Sequence, residues 1–243
     1  MNPNQSKRML QLGLGLSFLV TSAVLTQPTL SQSAEAISPL QQKVAAIKQS
    51  VAENQQALHQ YTWTETMQTL LKGDTKSTKQ SQCRYGPDGT VQKTEIGPDQ
   101  PAPSKQRGLK GRIIEKKTDE IQDYMERVAS LIKRYTPPDG SAMQSSLQSG
   151  HASIVPSGGG IVMVAFHDYA KPGDTVTLTY DTAVKKIRGY DVNTYLDAPA
   201  DVVTLKVVFD SMPDGTNYVA QSVLDATAKQ VQIRTTSSGY TKL

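Results

Sequence analysis

Between Pro39 and His59, Leu40, Val44, Ile47, Val51 and Leu58 fall on one stripe at helical spacing, and Gln, Lys and Glu fill the positions between them. Ser38 supplies a cap and Pro39 suits the first helical position. The stripe is narrow, so one side of this helix is expected on a sheet and the other in water. At Tyr61 the period drops to two. Tyr61, Trp63, Met67 and Leu71 alternate with Thr62, Thr64, Thr66 and Gln68, which is a strand pattern. Lys72-Gly73-Asp74 turns the chain into a second strand from about Thr78 to Tyr85. Gly86-Pro87-Asp88-Gly89 turns it again, because Pro sets the first turn dihedral and Gly accepts the left-handed one. Thr90 to Ile96 then returns antiparallel.

Gly97 to Lys105 is a Pro-rich polar loop, after which the helical period comes back. Thr118 is placed to cap a helix, with Asp119 and Glu120 complementing its dipole. Ile121, Tyr124, Met125, Val128, Leu131, Ile132 and Tyr135 form a broad apolar stripe that Pro137 and Pro138 bring to an end. A short helix is expected over Ala142 to Leu147. Strand patterns follow at Ile161 to Asp168, Thr175 to Tyr180, Val184 to Leu196, Val202 to Asp210, Asn217 to Ala226 and Gln230 to Thr236. Their links are short and carry turn residues, as in Pro213-Asp214-Gly215. Short links join antiparallel neighbours, since parallel ones need longer crossovers. The expected fold is α+β: a curved antiparallel sheet, an open half-barrel, with a long N-terminal helix and a mid-chain helical insertion that crosses between two parts of the sheet. No internal repeat points to a solenoid or propeller.

The N-terminal segment changes the compartment. Lys7 and Arg8 precede an almost uncharged apolar run from Met9 to Leu25, and Ala34-Glu35-Ala36 offers a small-x-small cleavage site. That is the layout of a secretory signal peptide over residues 1–36, leaving a single domain over 37–243 and an exported protein, with the periplasm as the expected location. Cys83 is the only cysteine, so no internal disulfide can form. About two hundred residues can bury an adequate core without one. The chain carries a formal +4, of which about +3 lies after Ala36. The basic residues cluster at Lys105, Arg107, Lys110, Arg112, Lys116 and Lys117. An exported chain without aromatics among those charges argues against nucleic acid. An acidic envelope protein or an anionic membrane surface is the candidate partner for that cluster.

Candidate chemistry is sparse. His59, His151 and His167 have no second ligand at metal spacing, so no metal site is expected, and no cofactor motif occurs. No nucleophile elbow is present. Ser157-Gly158-Gly159-Gly160 lacks the Lys-Ser/Thr ending of a phosphate loop and reads as a flexible hinge into the next strand. Glu65 is the exception, a carboxylate on the same strand face as Trp63 and Met67. It marks either an exposed edge or the polar end of a cavity.

The order of signal peptide, amphipathic helix, Tyr61-Thr62-Trp63-Thr64-Glu65 opening a meander, and a midway helical interruption resembles the periplasmic lipoprotein carriers, the outer-membrane lipoprotein-sorting superfamily. The Tyr85 to Gly89 turn and the Val192 to Leu196 strand are also similar to uncharacterised exported bacterial proteins. The carrier resemblance implies a half-barrel whose concave side is closed by helices and holds acyl chains. On that reading the Asp119 to Tyr135 helix lies over an apolar pocket as a lid; the alternative is that its stripe simply completes the core. Trp63, Glu65, Met67, Tyr124, Met125, Val128 and Ile132 are then the candidate ligand-binding residues. Three classes stay open: a carrier or binding protein for a lipid-like or lipoprotein ligand, a structural or interaction module of the envelope, and a hydrolase whose site is dispersed over loops, for which His151 or His167 would have to meet a carboxylate and a serine.

Overall fold

The alternating segment that begins at Tyr61 forms an eleven-residue strand, β1 (Tyr61–Leu71), with a hydrogen-bonded neighbour on each side. In the computed structural model, residues 39–97 and 109–243 are described. The signal segment 1–36, its cleavage site, and Lys105 and Arg107 lie outside them. So do the side chains of Leu40, Val44 and Ile47, whose backbone belongs to the first helix, and those of Lys110 and Arg112. The elements run α1 (Pro39–Leu58), β1, β2 (Asp74–Tyr85), β3 (Val91–Ile96), α2 (Leu109–Ile132), α3 (Gly140–Gln148), β4 (Ala152–Gly158), β5 (Ile161–His167), β6 (Thr175–Asp181), β7 (Lys186–Tyr195), β8 (Val202–Ser211), β9 (Asn217–Ala226) and β10 (Val231–Lys242).

All ten strands join one antiparallel sheet in the order β3-β2-β1-β10-β9-β8-β7-β6-β5-β4. It is a meander with one break. β1 and β10 meet in its interior, and β3 and β4 become its two edges. Because those edges do not pair with each other, the curved sheet stays open. The fold is α+β, and the α2–α3 segment is the crossover from one edge to the other.

Cross-strand register defines the face the helices cover. One rung runs Phe166, Val176, Val192, Leu205, Leu224, Ile233 and is apolar throughout. The next runs Val164, Leu178, Tyr190, Val207 and then turns polar at Ser222 and Thr235 before Met67. α2 lies against the apolar part, where Val128, Ile132 and Tyr135 are fully buried. Its polar contacts fix its pose. Tyr124 Oη donates to Asp201 at 2.6 Å, and Arg127 pairs with Asp197. Tyr135 Oη donates to Asp174 at 2.6 Å, and Tyr190 Oη donates to the Tyr135 carbonyl.

Three expectations need correction. α2 starts at Leu109, so Thr118 lies inside the helix and does not cap it. Lys110, Arg112, Lys116 and Lys117 therefore belong to the helix itself. Ser157 to Gly160 is not a hinge but the end of β4 and the Gly159-Gly160 turn of a β4–β5 hairpin, with Gly158, Gly159 and Gly160 all at positive φ (78°, 58° and 80°). A side chain there would be strained, which is why three glycines stand together. β4 went unrecognised because it carries a Pro and little alternation. Pro156 is tolerated since β4 is an edge strand. Finally, β10 continues through Lys242, well past the expected end at Thr236.

A further link ties β1 to the β8–β9 turn: Tyr61 Oη donates to Asp214. That bond, with the Thr216 backbone N–H, holds the Asp214 carboxyl down from 3.8 to about 2. A depressed carboxylate contributes stability above its unfolded value and loses it as pH falls through the folded one. Wild type should lose stability between about pH 4 and pH 2 more steeply than Asp214→Asn. Parallel acid melts of the two proteins check this, and coincident acid limbs would contradict it.

Candidate functional site

α1 does not seal against the sheet. Between them lies a cavity of about 80 Å³. Val51 and Leu58 of α1 form its roof, and Ile187, Phe209 and Val219 of β7, β8 and β9 form one wall. The opposite wall is aromatic. Trp63 stacks on Tyr240, with ring centroids 5.5 Å apart and 11° between planes. Tyr240 meets Tyr218 at 4.4 Å, and Trp63 meets Tyr85 at 5.3 Å. His59, just past the C-terminal end of α1, stacks on Tyr85 at 4.7 Å, and its Nε2 is buried without a hydrogen-bond partner among the described residues.

The floor is polar at one place. Glu65 lies opposite Ser237, and Thr235 lies opposite Ser222, so these four side chains form a patch across β9, β10 and β1. Lys93 of β3 pairs with Glu65 Oε1, and the two side chains are only 18% and 12% exposed. Cys83 lies between Trp63 and Lys93 in register and is fully buried. Burial first, and then the Glu65 charge, push its thiol up to about 11. It stays protonated at neutral pH and is no nucleophile. Burial likewise pushes the Tyr85 phenol up to about 12.

On the far side of α1 a second, solvent-open groove of about 850 Å³ is lined by polar residues including Glu53, Lys185, Lys186 and Asp214. Ser50 and Asn54 line both spaces. The same two residues fasten the helix. Asn54 Nδ2 donates to the Asn217 carbonyl at 2.7 Å, and Asn54 Oδ1 accepts from the Asn217 N–H at 2.6 Å. Ser50 Oγ donates to the Lys185 carbonyl at 2.8 Å. α1 is thus a helix clasped by a few hydrogen bonds, with space on both flanks.

The expected ligand-binding residues separate into two groups. Trp63 and Glu65 line the cavity. Met67 stands beside it and packs against the core. Tyr124, Met125, Val128 and Ile132 are buried in that core, and no described cavity lies under them. Of the two described spaces, the aromatic cavity lies under α1. Reading the sequence missed Tyr85, Phe209, Tyr218, Ser222 and Tyr240. For Tyr240 the available signal was a lone aromatic in a Ser/Thr/Gly run.

The histidines fall elsewhere. Ser153 Oγ lies 3.4 Å from His167 Nε2, and Thr175 Oγ1 lies 3.4 Å from His167 Nδ1. Asp168, the carboxylate that could have oriented His167, faces His151 at 3.4 Å instead. The pairs sit on an exposed surface beside the β4–β5 edge and line neither cavity nor groove. Among the described residues no three His, Cys, Asp or Glu side chains are grouped to hold a metal ion.

No family model and no curated protein matches the chain. Its resemblance to the lipoprotein carriers rests on layout. Among solved structures, the crystal structure of a DUF1329 family protein from Desulfovibrio piger is 11% identical, with a TM-score of 0.36 over 82% of this chain and 92% of that one.

Proposed function

We propose that the protein is a non-enzymatic carrier or binding protein for a lipid-like ligand, exported to the periplasm, and that the ligand's apolar chain enters beneath α1. The observation that carries this reading is the aromatic cavity roofed by a helix with an open groove behind it. Among the described residues no helix is long and apolar enough to cross a membrane.

The size of the cavity sets the mechanism. About 80 Å³ is room for a few water-sized groups. Sites for larger organic ligands start near roughly 300 Å³. A chain therefore enters only if α1 moves, and the groove gives it room to move into. Leaving the sheet breaks the Asn54 and Ser50 hydrogen bonds, at about 1 kcal/mol each. Burying methylenes returns about 0.8 kcal/mol each. Roughly four methylenes offset the clasp, so chains of fewer than about four carbons should not bind. Lys116 and Lys117, both exposed on α2, are the described part of a basic surface for an acidic envelope partner or an anionic membrane.

Filling the cavity tests the reading. Ser222 is buried in its floor. Ser222→Leu should leave the protein folded and weaken binding of a long-chain alkyl ligand about tenfold or more in equilibrium dialysis. Unchanged affinity in a folded Ser222→Leu protein would place the ligand elsewhere and remove the proposal.

A further inference from the structure

We infer that the cavity under α1 selects the head of its ligand, taking an uncharged hydrogen-bonding head such as an alcohol or an amide over both carboxylates and quaternary ammonium groups. The inference rests on the reading of that cavity as a site for an alkyl chain.

On the sheet side the head has one place to go. Ser50, Asn54 and Gln55 of α1 and Asn217 beneath them are polar, and the rest of the lining is aliphatic or aromatic except for the patch of Glu65, Ser222, Thr235 and Ser237. Register brings the four together as two facing pairs on adjacent strands. Buried polar groups need partners, so an amphiphile seats its polar end there and its chain along Trp63, Phe209 and Val219.

The charge at that patch is already cancelled. Lys93 occupies Glu65 Oε1, and Lys93 does not itself line the cavity. An entering anion therefore meets the carboxylate first, with the ammonium behind it, and like charges at that range disfavour each other strongly where water is scarce. A cation fares little better. The carboxylate it would use is held by Lys93, and the ring faces that would attract it are turned to one another, Trp63 on Tyr240 and Tyr85 on His59. An alcohol or amide has neither difficulty. It donates to Glu65 Oε2 and exchanges hydrogen bonds with the Ser and Thr hydroxyls, each both donor and acceptor.

Trp63 is the only tryptophan and lines the cavity, so its emission reports occupancy. Three ligands with the same twelve-carbon chain are titrated below their micellar concentrations near pH 8, where a carboxylic acid is ionised: 1-monolaurin, laurate and dodecyltrimethylammonium. The expected order puts monolaurin about tenfold or more tighter than either charged probe. Glu65→Gln keeps the shape and leaves Lys93 unopposed, so the affinity for laurate relative to monolaurin should rise about tenfold or more on that variant. If laurate or the ammonium probe binds wild type as tightly as monolaurin, the head selection is wrong although carriage stands. If none of the three binds, carriage itself fails. The wild-type comparison decides the point even if Glu65→Gln does not fold.

Discussion

Asp174→Ala is expected to lower the unfolding free energy by about 3–5 kcal/mol, because it leaves several buried donors without their acceptor at about 1–3 kcal/mol each. Asp174 is 1% exposed. Its Oδ1 accepts from the Tyr169 N–H at 2.6 Å, and its Oδ2 accepts from Tyr135 Oη at 2.6 Å, Ala170 N–H at 3.0 Å and Lys171 N–H at 2.9 Å. Truncation orphans three backbone donors at once and leaves the Tyr135 phenol only Thr194 Oγ1, at 2.8 Å, and each orphaned group carries its own desolvation cost. The same residue joins the β5–β6 loop to the end of α2, so the loss spreads across the crossover. Tyr135→Phe removes one spoke from Asp174 and the bond to Thr194 and should cost about 1–2 kcal/mol, since Ala170 and Lys171 still satisfy the same Asp174 oxygen. Urea melts of the two variants check the ratio. An Asp174→Ala protein within about 1 kcal/mol of wild type would show that the loop is held by packing alone.

Ile132→Ala should cost about 2–5 kcal/mol and leave ligand affinity unchanged. Ile132 is fully buried between α2 and the apolar rungs of the sheet. A lid residue would behave in the opposite way, with small effects on folding and large ones on binding. The variant therefore separates the two roles of a helix on a sheet. If it lost binding with its melting curve intact, α2 would be the mobile element and α1 the fixed one.

That distinction was only half legible in the sequence. The α+β class and the crossover could be read from the change of period at Tyr61 and from the Ile121 to Tyr135 stripe, because each period fixes which side chains share a face. Glu65 was legible as an anomaly, a carboxylate between Trp63 and Met67. Which helix covers which part of the sheet was not, since that depends on the path of the crossover between the two edges. The broad α2 stripe was compatible with a lid or with a helix docked in the core, and breadth alone does not separate the two. The aromatic wall was hidden for another reason. Tyr240 comes within reach of Trp63 only because β10 runs on through Lys242 beside β1, and nothing in Ser237-Ser238-Gly239 signals that continuation. β4 was hidden by Pro156 and by small residues that give no alternation.

The central claim is that an alkyl chain enters beneath α1 and touches Trp63. A brominated long-chain alkyl ligand and its unbrominated twin test it directly, because bromine quenches an indole on contact and the chain has a single tryptophan. The account predicts saturable quenching by the brominated ligand, none by the twin, and competition between them for one site. Saturable binding of both ligands with Trp63 emission unquenched would contradict it, since the chain would then lie somewhere other than the cavity under α1.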